Sequence, residues 1–278
     1  MSQIKETDGQ IMNVQILATG SGGNCVLIDN HILIDAGITI KAFSAYELDL
    51  SEIWAFVITH KHTDHMKTPL VRFLLQNHIK AFLPKAVIAE LLAEGKLDVM
   101  ALIASGQISQ IEAEKKYQIG NLKMTPYAQK HHDIVNFAFV LEKEEERLLY
   151  STDLDTVEPT ETGVGLLHLG KFDTILLEGN YDETYLRAYI EHMISLVPEA
   201  EDPTKSTDMD LEKWVKANYR QLPEDVARNA FRAIQNHRHL SKQQARAYVI
   251  NHLKPNGVYY EIHRSSQFYE EPDGWRKD

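Results

Sequence analysis

His60-Lys61-His62-Thr63-Asp64-His65 is the stretch on which the rest of the sequence turns, because it sets four side chains of metal-ligating type within six residues. On an extended segment, residues two apart project to the same side, so His60 and His62 can grip one cation through imidazole nitrogens. A turn into helix then swings Asp64 and His65 toward a neighbouring position. A donor set this dense suits two adjacent metals better than one. The competing reading is a polar loop that happens to be rich in histidine. What precedes the stretch weighs against it: residues 53–60, IWAFVITH, are nearly continuously apolar, as in a strand buried on both faces. Strand ends are where sites usually form in α/β folds.

Outward from there, the N-terminal third reads as short strands broken by turns. IMNVQILA (11–18) runs into a glycine turn at 20–23, and CVLID and ILIDAG follow, joined by a hairpin at Asn30-His31. Helical patterning covers 66–78 and then 84–95, the second led by Pro84 and ended by Gly95. Further strands are expected at 119–127, 136–142, 147–152 and 173–178, with EKEEER (142–147) as a charged hairpin tip. Residues 183–253 read as a helical section, 199–210 as a flexible polar excursion, and 257–263 as a last strand before a polar tail. No solenoid or propeller period is present. Strands alternating with helices in both halves favour sheets covered by helices, within one domain spanning 1–278.

The totals narrow the class. The 278 residues are 44% hydrophobic, which is ample for a core, and no apolar run is long enough to cross a membrane. The start, MSQIKETDGQ, has no apolar region of a secretory signal, and the single cysteine, Cys25, excludes an internal disulfide or a multi-cysteine zinc site. These features place the chain in the cytoplasm. A net charge of -11 weighs against broad electrostatic capture of nucleic acid without excluding a local basic patch.

The stretch 60–65 fits HxHxDH, and over most of its length the chain resembles the metallo-β-lactamase superfamily, the helical section 183–253 departing most from the family core. ATGSGGNCVLID followed by ILIDAGI resembles the family's first strands and the aspartate turn after them. Within the superfamily the chain is most similar to the branch of exonuclease-like YycJ proteins and phage-encoded hydrolases. The resemblance implies an α/β fold, an αββα four-layer sandwich of two mixed β-sheets flanked by helices. It also implies a later histidine, a bridging aspartate and a C-terminal histidine. The matching positions are His132 in KHHDIVNFAFVLE, with His131 beside it as the alternative, Asp153 in LLYSTD, and His263 in YYEIHRSS. His60, His62 and His132 would hold one metal, and Asp64, His65 and His263 the other, with Asp153 between them. Two divalent cations bring four positive charges; two aspartates and a bridging hydroxide remove three, leaving a residue that stabilises an anionic transition state.

The activity so implied is hydrolysis by a metal-bridging hydroxide, with Asp64 also orienting it. The cofactors are two divalent ions; zinc fits the histidine-rich set, and manganese or iron are alternatives. Phosphodiesters are the leading substrate class, with nucleic acid among them. The runner-up is a small carbonyl ester such as a lactone or thioester, and a non-catalytic binding module is the third reading. Met66-Lys67-Thr68-Pro69 after the motif counts against the glyoxalase-type branch, and His62 against flavo-diiron relatives, which carry an acid there. The turn at 20–23 lacks a P-loop ending and reads as a tight turn. Asp35 is a candidate to orient a ligating histidine, or simply a turn residue. His239 is a candidate to contact a substrate oxyanion; Ser241 beside it reads foremost as a helix N-cap. Glu178, Asn180 and Tyr181 can line the cleft by position alone.

Overall fold

The computed structural model describes residues 12–132, 134–161, 163–197, 211–265 and 268–269. The N-terminal stretch 1–10, the excursion 199–210 and most of the polar tail lie outside the described residues. The first half runs β1 (Val14–Ala18), β2 (Cys25–Ile28), β3 (Ile32–Ile34), α1 (Ile40–Ser44), β4 (Ala55–Val57), α2 (Thr68–Gln76), β5 (Lys80–Leu83), α3 (Lys85–Glu94), α4 (Val99–Ala104) and β6 (Ile108–Gln110). Its six strands form one sheet in sequential order, antiparallel from β1 to β3 and parallel from β3 to β6. The β2–β3 hairpin turns on Asp29 and Asn30, both at positive φ, the conformation that matches strand twist. Pro84 and Gly95 bound α3, with Gly95 left-handed at φ 66.

The second half runs β7 (Tyr117–Ile119), β8 (Leu122–His131), β9 (Ile134–Lys143), β10 (Glu146–Ser151), β11 (Phe172–Glu178), α5 (Glu183–Ser195), α6 (Leu211–Asn218), α7 (Glu224–His237), α8 (Lys242–His252) and β12 (Leu253–Ile262). These strands form a second sheet in the order β12-β11-β10-β9-β8-β7. β7 to β10 pair antiparallel, whereas β10, β11 and β12 pair parallel, so β8, β10, β11 and β12 all point one way.

The two mixed sheets face each other across a shared apolar layer that includes Ile28, Ile34, Val57, Phe139, Leu148 and Leu176. Helices cover both outer faces: Leu70, Leu74 and Leu91 pack on Leu33, Phe56 and Ile58, and Ala245, Tyr248 and Val249 of α8 pack on Val140, Leu149 and Ile175. Fully burying one Leu, Ile or Phe is worth about 1.5–3 kcal/mol, so these layers hold the site's strands in place. Helices α5, α6 and α7 enclose their own apolar cluster around Tyr189, Trp214 and Ala230. Among the described residues no helix is long and apolar enough to cross a membrane.

One expected element is corrected. Residues 119–127 are not one strand but parts of a hairpin, because Gly120 at φ 58 turns the chain between β7 and β8. The short α4, β5 and β6 went unpredicted; three to six residues carry too little period to read.

Candidate metal centre

The strand ends assemble the site. The parallel partners β3 and β4 finish side by side, which brings Asp35 against Thr59: the Thr59 N–H and hydroxyl donate to Asp35 Oδ1 at 2.8 and 2.9 Å. The next residue is His60. The chain then makes one helical turn, with the His65 and Met66 amides donating to the His62 carbonyl, and this turn swings Asp64 and His65 back toward Asp35. Gly37 makes room for it, since a Cβ there would sit 1.7 Å from the Asp64 carbonyl oxygen. From the second sheet, the co-directional strands β8, β10, β11 and β12 deliver His131, Asp153, Glu178 and His263 at or just past their C-terminal ends. Asp35, His132, Asp153 and His263 all sit at positive φ, between 53 and 63°, where Asp and His are tolerated better than most side chains.

Asp153 is the hub. Its Oδ2 lies 3.3 Å from His60 Nε2, 3.1 Å from His65 Nε2 and 3.6 Å from His131 Nε2. Its Oδ1 lies 3.2 Å from His263 Nε2. Three groups of donor atoms within 4.8 Å of one another contain Asp153: one with His60, His62 and His131, one with Asp64, His65 and His263, and one with Glu178, His239 and His263. Two buried ring nitrogens, His131 Nδ1 and His263 Nε2, make no hydrogen bond among the described residues. His263 Nε2 is close to Asp153 but out of hydrogen-bond alignment with it. Imidazole and carboxylate donors converging this way, with buried nitrogens unsatisfied, fit divalent cations.

A second layer of carboxylates orients the rings. Asp35 Oδ2 lies 2.7 Å from His65 Nδ1, which turns the His65 Nε2 toward Asp64 and Asp153. Glu178, fully buried, has Oε2 at 3.1 Å from His239 Nδ1 and 3.4 Å from His263 Nδ1. Its Oε1 accepts from the Leu154 and Leu240 amides at 2.8 and 3.2 Å.

Electrostatics divide these groups. Burial pushes His131 down to about 3 and lowers His60 and His62 too, leaving all three neutral, the form that ligates metal. Around the carboxylates the balance reverses. Against the cost of burial, Asp153 and Asp35 hold His65 well above its ordinary value, and Asp153 and Asp64 lift His263 to about 10. Burial also opposes the charge on Glu178, but His239 and His263 bring it down to about 2. His239 is raised, because the Glu178 carboxylate outweighs its burial.

The structure thus brings His60, His62, Asp64, His65, Asp153 and His263 together. It brings His132 into none of the groups around Asp153. His131 takes that place, ending β8 with its ring inward and 2% exposed. The left-handed turn at His132 carries its half-buried ring away, toward Asp155 and into a group with His131 and His239. His239 reaches the site through Glu178, and Ser241 caps α8 in a capping box with Gln244. The sequence reading gave Glu178 no role beyond its place at a strand end, and it did not single out Thr59 or Tyr150, whose hydroxyl donates to Asp35 at 3.3 Å.

A cavity of about 590 Å³ opens onto His62, Asp64, Asp153, His239 and His263, and it is also lined by Arg232, Arg238 and Arg264. A neighbouring cavity of about 270 Å³ is lined by Lys130, His132, Asp155 and Arg238.

The family model of the beta-lactamase superfamily domain matches residues 30–217. Exodeoxyribonuclease YycJ of Bacillus anthracis is 33% identical over 63 residues, which make up 20% of this chain and 24% of that protein. The human short-form tRNase Z is similar in fold, with a TM-score of 0.53 at 14% identity over 90% of this chain and 96% of that one. YhfI of Bacillus subtilis, a metallo-β-lactamase fold protein, gives a TM-score of 0.47 at 15% identity over 62% and 72% of the two chains.

Proposed function

The chain belongs to the metallo-β-lactamase superfamily, and from that premise we propose that it is a dinuclear metal-dependent hydrolase of phosphodiesters. One observation carries the reading: Asp153 belongs both to the group of His60, His62 and His131 and to that of Asp64, His65 and His263, so one buried carboxylate can serve two adjacent cations. His60, His62 and His131 with Asp153 would hold one ion, and Asp64, His65 and His263 with Asp153 the other. Zinc suits this set, with manganese or iron as alternatives. Bound there, the ions would supply Lewis-acid charge that polarises the scissile bond and acidifies the attacking water.

The chain's own residues do the rest. Asp35 fixes the Nδ1 side of His65 and Glu178 that of His239, while Nδ1 of His263 faces both Glu178 and the Asn180 side-chain nitrogen, contacts that orient the rings. With Nδ1 held by Glu178, His239 has Nε2 left to meet a phosphate oxygen of the substrate. Asp64, which lines the cavity, would orient the attacking water. The arginines beside the cavity favour an anionic substrate over a neutral lactone or thioester. The likeness to an exodeoxyribonuclease over 63 residues points the same way.

The test is metal content together with turnover of bis-p-nitrophenyl phosphate and of a generic lactone or thioester. About two ions per chain and phosphodiesterase activity lost in Asp64→Ala support the reading. Turnover of only the carbonyl ester moves it to that class. Neither activity with one ion or none leaves a binding module.

A further inference from the structure

Helix α7 has two faces. Val226, Ala227, Ala230, Ala233 and Ile234 pack into the helical cluster, and Arg232, Gln235 and Asn236 face the metal cavity. The α7–α8 turn that follows is clamped to the end of β11. The Leu240 amide donates to Glu178, its carbonyl accepts from the Asn180 amide at 2.9 Å, and the Lys242 amide donates to the Tyr181 carbonyl at 2.8 Å. This clamp fixes two consecutive residues: His239, held by Glu178, and Arg238, which is the C-cap of α7. Arg238 and His132 line both the metal cavity and the 270 Å³ cavity next to it, where Lys130 is exposed.

We propose that the two cavities are successive phosphate subsites of one strand, with Arg238 and Lys130 holding the phosphate next to the scissile one. The substrate is then a single-stranded nucleic acid rather than an isolated diester, and the helical section selects it. This rests on the phosphodiester reading above. The charges fit. Arg232 makes no ion pair among the described residues, and Arg238 pairs with the half-buried Glu212. The one carboxylate in the second cavity, Asp155, already accepts the His132 amide. A few cationic groups on a chain of net charge -11 make a narrow track, which a single strand can follow and a duplex face cannot.

The test is equilibrium binding of a fluorescein-labelled single-stranded oligodeoxynucleotide to the protein in EDTA, across a salt series, with hydrolysis followed separately in the presence of metal. The double variant Arg238→Gln/Lys130→Gln is expected to bind at least tenfold more weakly. Its dependence of log affinity on log salt is expected to flatten by about 0.7, the value for one lost phosphate contact on a single strand. Arg232→Gln is expected to show a smaller change of the same kind, and melting temperatures check that each variant folds. If the wild type binds and hydrolyses the oligonucleotide but the double variant binds it equally with the same salt slope, the subsite is refuted and the phosphodiester reading stands. If the wild type neither binds nor cuts it while hydrolysing a lactone, both fall.

Discussion

Glu178→Gln separates the two donor groups by experiment. Glutamine keeps an oxygen for the Leu154 and Leu240 amides, at 2.8 and 3.2 Å, but sets an NH2 where Oε2 meets His239 Nδ1 at 3.1 Å and His263 Nδ1 at 3.4 Å. An NH2 cannot accept from those rings, so each must move or shift its proton to Nε2. For His263 that tautomer blocks the nitrogen that faces Asp64 and Asp153. Loss of such an orienting partner typically weakens metal binding about 10–100-fold, or about 1.4–2.7 kcal/mol. Among the described residues none of His60, His62 and His131 pairs with Glu178, so the metal equivalent that His65 and His263 hold is expected to weaken more than the other. Competition of zinc against a chromophoric chelator resolves this as a second phase shifted by one to two decades beside a first phase that shifts less. Metal-free protein is also expected to melt lower, since charge-assisted hydrogen bonds contribute about 1.5–3 kcal/mol each. A lower melting temperature with both metal phases intact would falsify the orienting role and leave Glu178 a structural residue.

The other outcomes follow from the same geometry. His131→Ala is expected to bind fewer than two ions and lose at least a hundredfold in kcat, whereas His132→Ala retains both ions; metal analysis after dialysis distinguishes them. Asp153→Ala removes the carboxylate common to both groups and is expected to leave at most one weakly held ion, read by the same analysis. His239→Ala is expected to keep both ions yet lower kcat about 10²–10³-fold, the usual size of losing one transition-state donor; a variant short of metal would instead mark His239 as a ligand.

How much of this the sequence carried depends on the scale of the signal. The run 60–65 was legible because its spacing and the buried strand before it are local facts. The choice between His131 and His132 was not, since strand ends are uncertain by more than the one residue that flips a side chain to the other face. β8 ends at His131, and the left-handed His132 breaks the alternation. Glu178 stood at a strand end whose neighbours could not be known, because His239 and His263 lie 61 and 85 positions further along the chain. The helical section 183–253 was readable as helical, but not which cavity the arginines of α7 line.

The left-handed residues explain why the motif alone does not make the site. A ligand that follows a strand must turn over the strand's end instead of continuing the alternation, and holding a non-glycine residue there costs of order 1–3 kcal/mol. Each such position is clamped by a side chain from another element. The Asn136 amide donates to the Thr152 and Asp153 carbonyls at 2.5 and 2.7 Å. The Asn180 side-chain NH2 donates to the His263 carbonyl at 2.9 Å, and the His263 backbone N–H donates to the Thr19 hydroxyl at 2.8 Å. Asp35 accepts both groups of Thr59. Buried bonds of this kind contribute about 1 kcal/mol each, and losing one partner costs about 1–3 kcal/mol, so the clamps match the strain they oppose. Asn136, Asn180 and Thr59 ligate nothing themselves, yet the placement of Asp153, His263 and Asp35 depends on them.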